Sequence, residues 1–490
     1  MDPRTPVLVG AGRVTQHEDD PGAALEAVEL MVRAADQAGR DAGSARVLEQ
    51  VGMVLVPKGI WSYPDPARLI AARVGAPRAI TVLAEVGVLQ QTLLSRAAEQ
   101  IAAGTIDAAL VVGGEAKHRA LRAAIAGVDA AEAQQEGEPD ELWLPDDEIL
   151  PSVEIERDLA VPAHQYAVIE SALRHADELS AQAQRLRLGR LGASFAAVAA
   201  ADPLAWDRSG PSAATIAGPS ASNRMVASPY TKLLCSQWNV DQAVALVLTS
   251  VAEARRLGIA RDRWVFPLAA ASSEAMIPLT RRAELHRSPA TALAFAAALD
   301  HVGLEAALID HLDLYSCFPA AVQVQARELG IRLDRGLDRA LTVSGGMTFG
   351  GGPLNNAMLQ SLAAMVDVLR ADPGSTGLVT AVSGMLTKPA AGVWSTAEPD
   401  LPFCHVDVTE AARAATATRV LDPEGTGSAT VVGSTVIHER GVPARTVAIA
   451  EFPDGRRTVA VDSDPGAAAG RVEDDLVGRS ITVAAPGVWT

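Results

Sequence analysis

Cysteine is the first shortage. The 490-residue chain has three, Cys235, Cys317 and Cys404. They are odd in number and scattered, which supports neither a disulfide framework nor a zinc cluster. None lies within residues 1–234, so cysteine chemistry is excluded from that whole stretch. Aromatic residues are scarce too, at 4%, which suits tightly packed α/β layers better than a β-sandwich. Positive charge is in deficit: 42 Lys and Arg against 59 Asp and Glu give a net charge of −17. Such a surface disfavours a nucleic-acid partner, although an anionic small ligand needs only a local basic spot. No apolar run reaches the ~18 residues of a membrane span. The opening Met1-Asp-Pro-Arg-Thr-Pro6 has no basic segment leading into an apolar one. These absences predict a soluble, cytoplasmic chain without membrane insertion, and no metal centre.

Hydrophobic residues make up 49% of the sequence, mostly small ones. At roughly 100–200 residues per domain, the length predicts two to four domains. The most unusual stretch is Val343-Ser-Gly-Gly-Met-Thr-Phe-Gly-Gly-Gly-Pro-Leu-Asn-Asn356, with five glycines and a proline. Glycine serves where φ is positive or where something approaches the backbone closely. Met358, Leu359, Leu362, Met365, Val366 and Leu369 follow at helical spacing. The glycines therefore deliver the chain to a helix N-terminus, where amides suit an anion or a polarised carbonyl oxygen. A tight turn packing a strand against a helix is the structural alternative.

Residues 7–13 predict a strand entering a glycine turn. Gly10 and Gly12 fit the start of a dinucleotide fingerprint, but position 15 is Thr. Helices are expected over 21–42, 66–74 and 89–103, the last closed by Gly104, with strands over 51–56, 79–83 and 108–115. Helix, glycine turn and buried strand ending in glycine recur at 356–384, which predicts an internally duplicated α/β unit. Residues 118–222 differ in texture: 129–148 is acid-rich, 162–187 helical with Arg and His on its polar face. They predict an inserted loop domain. A strand is expected over 241–250. Beyond residue 400, strands at 429–438, 446–452, 457–461 and 480–484 alternate with turns and suggest a small barrel of OB type.

Three segments together resemble the thiolase superfamily: Ile101-Ala-Ala-Gly104 through Val111-Val-Gly-Gly-Glu115, Asp313-Leu-Tyr-Ser-Cys-Phe-Pro-Ala-Ala-Val322, and Ser344 through Asn356. They fall in the family's order, and the resemblance covers about residues 5–400. It is most similar to actinobacterial acetyl-CoA acetyltransferase-like proteins with a C-terminal OB-like extension. The resemblance implies an α/β thiolase fold of two related halves in αβαβα layers. Residues 1–117 and 223–261 would form the first half and 262–400 the second. Residues 118–222 would be the inserted loop domain, and 401–490 a small β-barrel. Thiolases use a nucleophilic cysteine, a histidine, an Asn or His, and a second cysteine. The matching positions here hold Gly87, Gly352, Tyr315 and Val382. The resemblance thus implies the fold and a CoA or acyl-CoA ligand, with no other cofactor, but not cysteine-based thiolysis.

Candidates for the remaining chemistry follow from residue type. Tyr315 offers a phenol as acid or oxyanion donor, or simply fills space. Cys317 shares its face in an extended segment, either as a nucleophile or as an inert thiol. Gly87, Gly351, Gly352, Asn355, Asn356, Ser383, Thr387 and Lys388 are pocket or oxyanion candidates, with helix capping the plainer role for the asparagines. Lys232 and His286 are weaker ones. Lys117, His118, Arg119 and Arg122 form a basic group for a nucleotide phosphate or a solvated helix face. Three readings stay open: a diverged acyltransferase-like protein, a retro-aldol or Claisen-type lyase, and an acyl-CoA-responsive scaffold whose barrel holds another lipid enzyme. Monomer and homodimer are both compatible with the sequence.

Overall fold

Strands that are apolar throughout need cover on both faces. Ala108–Ala116 and Asp241–Ser250 have such apolar centres, at 108–112 and 243–248, and are buried along nearly their whole length. The computed structural model describes residues 1–333 and 337–489. In it these strands sit inside a six-stranded sheet, in spatial order Pro6–Thr15, Asp241–Ser250, Ala108–Ala116, Val51–Pro57, Ile80–Ala84, Glu141–Trp143. A second, five-stranded sheet runs His311–Asp313, Thr376–Ser383, Lys388–Ser395, Phe266–Ser272, Cys404–Asp407. From Pro6–Thr15 inward the pairings are antiparallel, antiparallel, then parallel. From Phe266–Ser272 the second sheet repeats that series through its next three strands. The two halves therefore share one topology, and the duplication legible in the sequence is real.

Between the sheets lie the helices Gln90–Ala102 and Ala357–Ala371. Leu93, Leu94, Leu359, Leu362 and Val366 share a core with Leu55, Val111 and Leu246 of the first sheet and Val379 and Trp394 of the second. Ala27–Asp41 and Pro66–Arg73 cover the outer face of the first sheet. Pro289–Val302 and Pro319–Glu328 cover that of the second. The result is the five-layer αβαβα arrangement of a thiolase-like fold. Local signals agree with it. Gly104 takes φ 72° just past the first central helix, and Asp65 accepts from Arg68 N–H to cap Pro66–Arg73.

The C-terminal strands Gly427–Glu439, Val442–Glu451, Arg457–Asp462, Ser480–Ala485 and Val488–Trp489 close into a barrel. Numbered one to five, they pair in the order 1-2-3-5-4-1, the third and fifth in parallel. The last strand escaped the sequence because two residues carry no periodicity.

Three other expectations shift. The first helix starts at Ala27, not near 21, because Gly22 and Ala23 turn back onto Asp20. The helical stretch 162–187 is two helices, Pro162–Ala176 and Ala181–Ala201, broken where Glu178 takes φ 53° and Ser180 caps the second. Met225–Ala227, expected with the first half, pairs with the barrel strand Gly427–Glu439 instead, and Tyr230–Thr231 pairs in turn with Met225–Ala227. Ser228 N–H donates to Val436 O at 2.8 Å. Their extended backbone found its ladder there. Among the described residues no helix is long and apolar enough to cross a membrane.

The acid-rich excursion adds the edge strand Glu141–Trp143, parallel to Ile80–Ala84. Asp140 fastens it: Oδ2 accepts from Thr81 N–H (2.9 Å) and Arg68 Nη2 (2.8 Å), and its own N–H donates to Thr81 Oγ1 (3.0 Å). An open edge is a template for pairing with a second chain. With this one covered, the protein is expected to run as a monomer in size-exclusion chromatography with light scattering. Asp140→Ala is expected to loosen the strap and produce dimers or larger species. A strictly monomeric D140A would remove the strap from the account of the edge.

Candidate functional site

The glycine stretch wraps one buried carboxylate. Asp313 Oδ2 accepts from Val343 N–H (2.9 Å), Ser344 N–H (3.0 Å), Thr342 Oγ1 (2.9 Å) and Ser344 Oγ (2.9 Å). Gly345 N–H then donates to Thr342 Oγ1, Gly346 N–H to Ser344 Oγ and Met347 N–H to Ser316 Oγ. Gly352 N–H donates to Gln237 O. The amides of this loop are thus largely engaged by the chain itself. Close approach explains the glycines. A methyl group on Gly351, at φ 110°, would lie 2.0 Å from Gln242 Oε1, and one on Gly346 2.3 Å from the Phe195 ring.

The loop delivers two asparagines to the junction of the central helices. Asn355, at φ 54°, accepts from Gln90 Nε2 (2.5 Å) and donates to Lys58 O (3.2 Å). It therefore ties the glycine loop to the start of the other central helix and to the end of strand Val51–Pro57. Asn356 is 1% exposed, and both its amide atoms lack a hydrogen-bond partner among the described residues. Its Oδ1 lies where a side chain on Gly113 would stand.

Gly87 precedes the helix Gln90–Ala102. It takes φ 110°, and a Cβ there would be 3.0 Å from Pro145 and 3.2 Å from Ile149. The acid-rich excursion therefore closes over this position. From the opposite half, Lys388 reaches across: its Nζ donates to Gly87 O at 2.7 Å and pairs with Glu274 Oε2 at 2.5 Å. Lys388 is 1% exposed. Burial pushes the Glu274 carboxyl above its ordinary range, while the ammonium beside it opposes that shift.

Lys388 follows a strained hairpin. Gly384, Met385 and Leu386 have φ of 55°, 51° and 78°, the left-handed region that non-glycine residues avoid. Buried Arg282 holds the turn, donating to Gly384 O (3.0 Å) and Met385 O, and Ser288 Oγ donates to Leu386 O (2.9 Å). Burial lowers the Arg282 guanidinium to about 10. Behind the hairpin is a cavity of about 50 Å³ lined by Ala275, Ile277, Arg282, Leu386, Thr387 and Thr416, among others. Ser383 pairs with Lys388 at the base of the hairpin.

Tyr315 is half-buried; its backbone is fixed by Thr380 Oγ1 and Gln325 Nε2. Burial raises its phenol, so it stays protonated and keeps its O–H available as a donor. Burial pushes the Cys317 thiol up to about 12, against a hydrogen bond with Tyr166 that opposes the shift. A neutral thiol is a poor nucleophile. Lys117, Arg119 and Arg122 lie on helix Lys117–Ala126. Lys117 sits over the Trp238 ring, Arg119 donates to Pro21 O and Ala131 O, and Arg122 pairs with Asp19. Lys232 is exposed, and His286 is half-buried with its pKa lowered by burial. The structure therefore brings Gly87 to Lys388, and Asn355 to Gln90. Sequence reasoning missed Glu274, Gln90 and Pro145, which carry no local pattern. Among the described residues no group of three or more His, Cys, Asp or Glu is arranged to hold a metal.

No family model matches the chain, and no curated protein matches it. Solved structures do. The crystal structure of a monomeric SCP2-thiolase like protein type 1 from Mycobacterium smegmatis is 27% identical. That match covers 100% of this chain and 99% of that one, with a TM-score of 0.83. The Ltp2-ChsH2(DUF35) aldolase is 18% identical over 80% of this chain and 98% of that one, TM-score 0.58. Acetyl-CoA acetyltransferase from Syntrophomonas wolfei is 17% identical over 81% and 100%, TM-score 0.58. The last two likenesses concern the fold alone.

Two outcomes follow from this geometry. Gly87→Cys puts a side chain at φ 110° against Pro145 and is expected to cost about 2–4 kcal/mol in urea unfolding, without creating thiolysis. A stable, thiolytic G87C would refute the described closure. Glu115, 1% exposed, accepts from Ile60 N–H, yet burial pushes its carboxyl from 4.5 up to about 7. Between those values the folded state keeps a proton that the unfolded state has lost, so stability falls as pH rises through the window. Glu115→Gln is expected to be more stable than the parent at pH 8 by roughly 2–3 kcal/mol, and no more stable at pH 4. Equal melting shifts at both pH values would sink this assignment.

Proposed function

We propose that this chain, with its thiolase-like fold and C-terminal barrel domain, is a CoA- or acyl-CoA-binding protein of lipid metabolism that does not use a cysteine nucleophile. One observation carries this reading. Where the family places its acyl-accepting cysteine, this chain has Gly87 at φ 110°, roofed by Pro145 and Ile149 and hydrogen-bonded to Lys388. Neither Cys235 nor Cys317 substitutes for it, since burial pushes both thiols up to about 12.

A second reading is lyase chemistry, a retro-aldol or Claisen-type cleavage of an acyl-CoA. It is favoured by the Tyr315 phenol, which stays protonated and so suits donation to a developing alkoxide or enolate oxygen. The likeness to a protein named as an aldolase in complex with a DUF35 partner adds to it. Here a barrel is present in the same chain.

Calorimetric titration of the purified protein with CoA, acetyl-CoA and longer acyl-CoAs is expected to give binding that tightens with acyl length. Acetoacetyl-CoA with free CoA is expected to show no thiolysis. Measurable thiolysis would overturn the leading reading, and absence of binding to every thioester would favour the scaffold role. Turnover lost in a folded Tyr315→Phe would move the lyase reading ahead; unchanged turnover would remove Tyr315 from it.

A further inference from the structure

We propose that Lys388 is the ligand-facing donor of the central site, taking the carbonyl oxygen of an acyl thioester beneath a lid formed by residues 144–150. The proposal rests on the acyl-CoA reading above and adds to it a specific group, a ligand atom and an access route.

The first argument is the ammonium itself. Lys388 is 1% exposed and has three N–H donors. Gly87 O and Glu274 Oε2 take two. The third has no partner among the described residues. Holding an ammonium this deep beside a partly exposed carboxylate costs desolvation that an apolar side chain would avoid, so stability alone is a poor reason for it.

The second is strain. Gly384, Met385 and Leu386 run consecutively at positive φ, one residue short of Lys388. Such backbone persists only where its surroundings over-determine it, as Arg282 and Ser288 do here, and it concentrates at functional sites. The 50 Å³ cavity behind Leu386 and Thr387 leaves this hairpin room to adjust.

The third is the cover. Between strand Glu141–Trp143 and helix Ser152–Glu156, residues 144–151 form neither helix nor strand. Pro145 and Ile149 close over Gly87. Asp147 pairs with Arg413 at 3.5 Å, both side chains nearly half exposed. A pair this open contributes little, so the cover is fastened weakly where it meets the second half.

Charge selects the ligand class. Lys388 contributes one positive charge, and Glu274 with nearby Asp146 two negative ones, Asp146 being close enough to push the Glu274 carboxyl up. An anionic group would meet net repulsion there. A neutral carbonyl oxygen accepts the free N–H without it, and Pro145 and Ile149 offer the adjoining methylenes an apolar wall.

The test titrates full-length protein with CoA and with octanoyl-CoA, comparing parent, Lys388→Met and Asp147→Asn. K388M is expected to bind octanoyl-CoA at least tenfold more weakly while its affinity for CoA, which has no acyl carbonyl, stays the same. Retained CoA binding then also reports an intact fold. In the parent, the infrared stretch of a ¹³C-labelled thioester carbonyl is expected to fall on binding, and not to fall in K388M. D147N is expected to bind octanoyl-CoA two- to fivefold faster by releasing the lid. If the parent binds octanoyl-CoA and K388M matches it, the inference fails and the acyl-CoA reading survives. If the parent binds neither ligand, both fail. If K388M does not fold, D147N decides: a faster association supports the lid over the site, an unchanged one overturns it.

Discussion

Two helices walled in by two sheets impose the main constraint on this molecule. Gln90–Ala102 and Ala357–Ala371 meet apolar strands on either side, so their lateral faces are Leu, Ala, Ile, Val and Met. Side faces of that kind bury easily. Helix ends do not, because the first-turn N–H groups have no partner within the helix. Neither central helix has a side-chain cap at its first turn. The polar groups of the fold gather there as a consequence: Gln90, Asn355, Asn356 and, from the second sheet, Lys388.

That gathering explains why the loops around the helix starts are built as they are. The glycine loop must turn sharply and pass close to Phe195, Ala199 and Gln242, which rules out side chains at Gly345, Gly346 and Gly351. One carboxylate oxygen, on Asp313, collects four donors from residues 342–344 and so holds the start of the loop. On the other side, the turn before Lys388 is held by an arginine so buried that its guanidinium falls to about 10. Both loops are rigid through buried polar contacts, not through apolar packing.

The inserted residues act on the same site from outside. Their helices share a core with the outer face of the second sheet and with barrel residues Val447, Ile449 and Val459. Buried Glu170 joins them to the neighbouring pieces, accepting from Tyr230 Oη (2.9 Å) and Gln323 Nε2 (2.8 Å). Their acid-rich segment is fastened to the first half through Asp140 and covers both the sheet edge and Gly87. The buried Lys388 ammonium and the segment that covers Gly87 belong together physically: a charge interaction keeps its strength only where water is kept out.

Much of this was determined by the sequence alone. Continuous apolar runs such as 108–112 dictate strands covered on both faces, Gly104 marks a helix end, and the repeat of helix, glycine turn and strand declares two halves. Alternation after residue 400 makes a barrel legible. These features are local, because burial periodicity and positive φ act within a few residues. The site is different in kind. Lys388 meets Gly87 across 301 residues, and Glu274 and Pro145 join them from two further segments. No spacing encodes such contacts. They exist because packing the central helices between the sheets fixes the register of one half against the other, and only that tertiary register decides which backbone oxygen a buried ammonium finds.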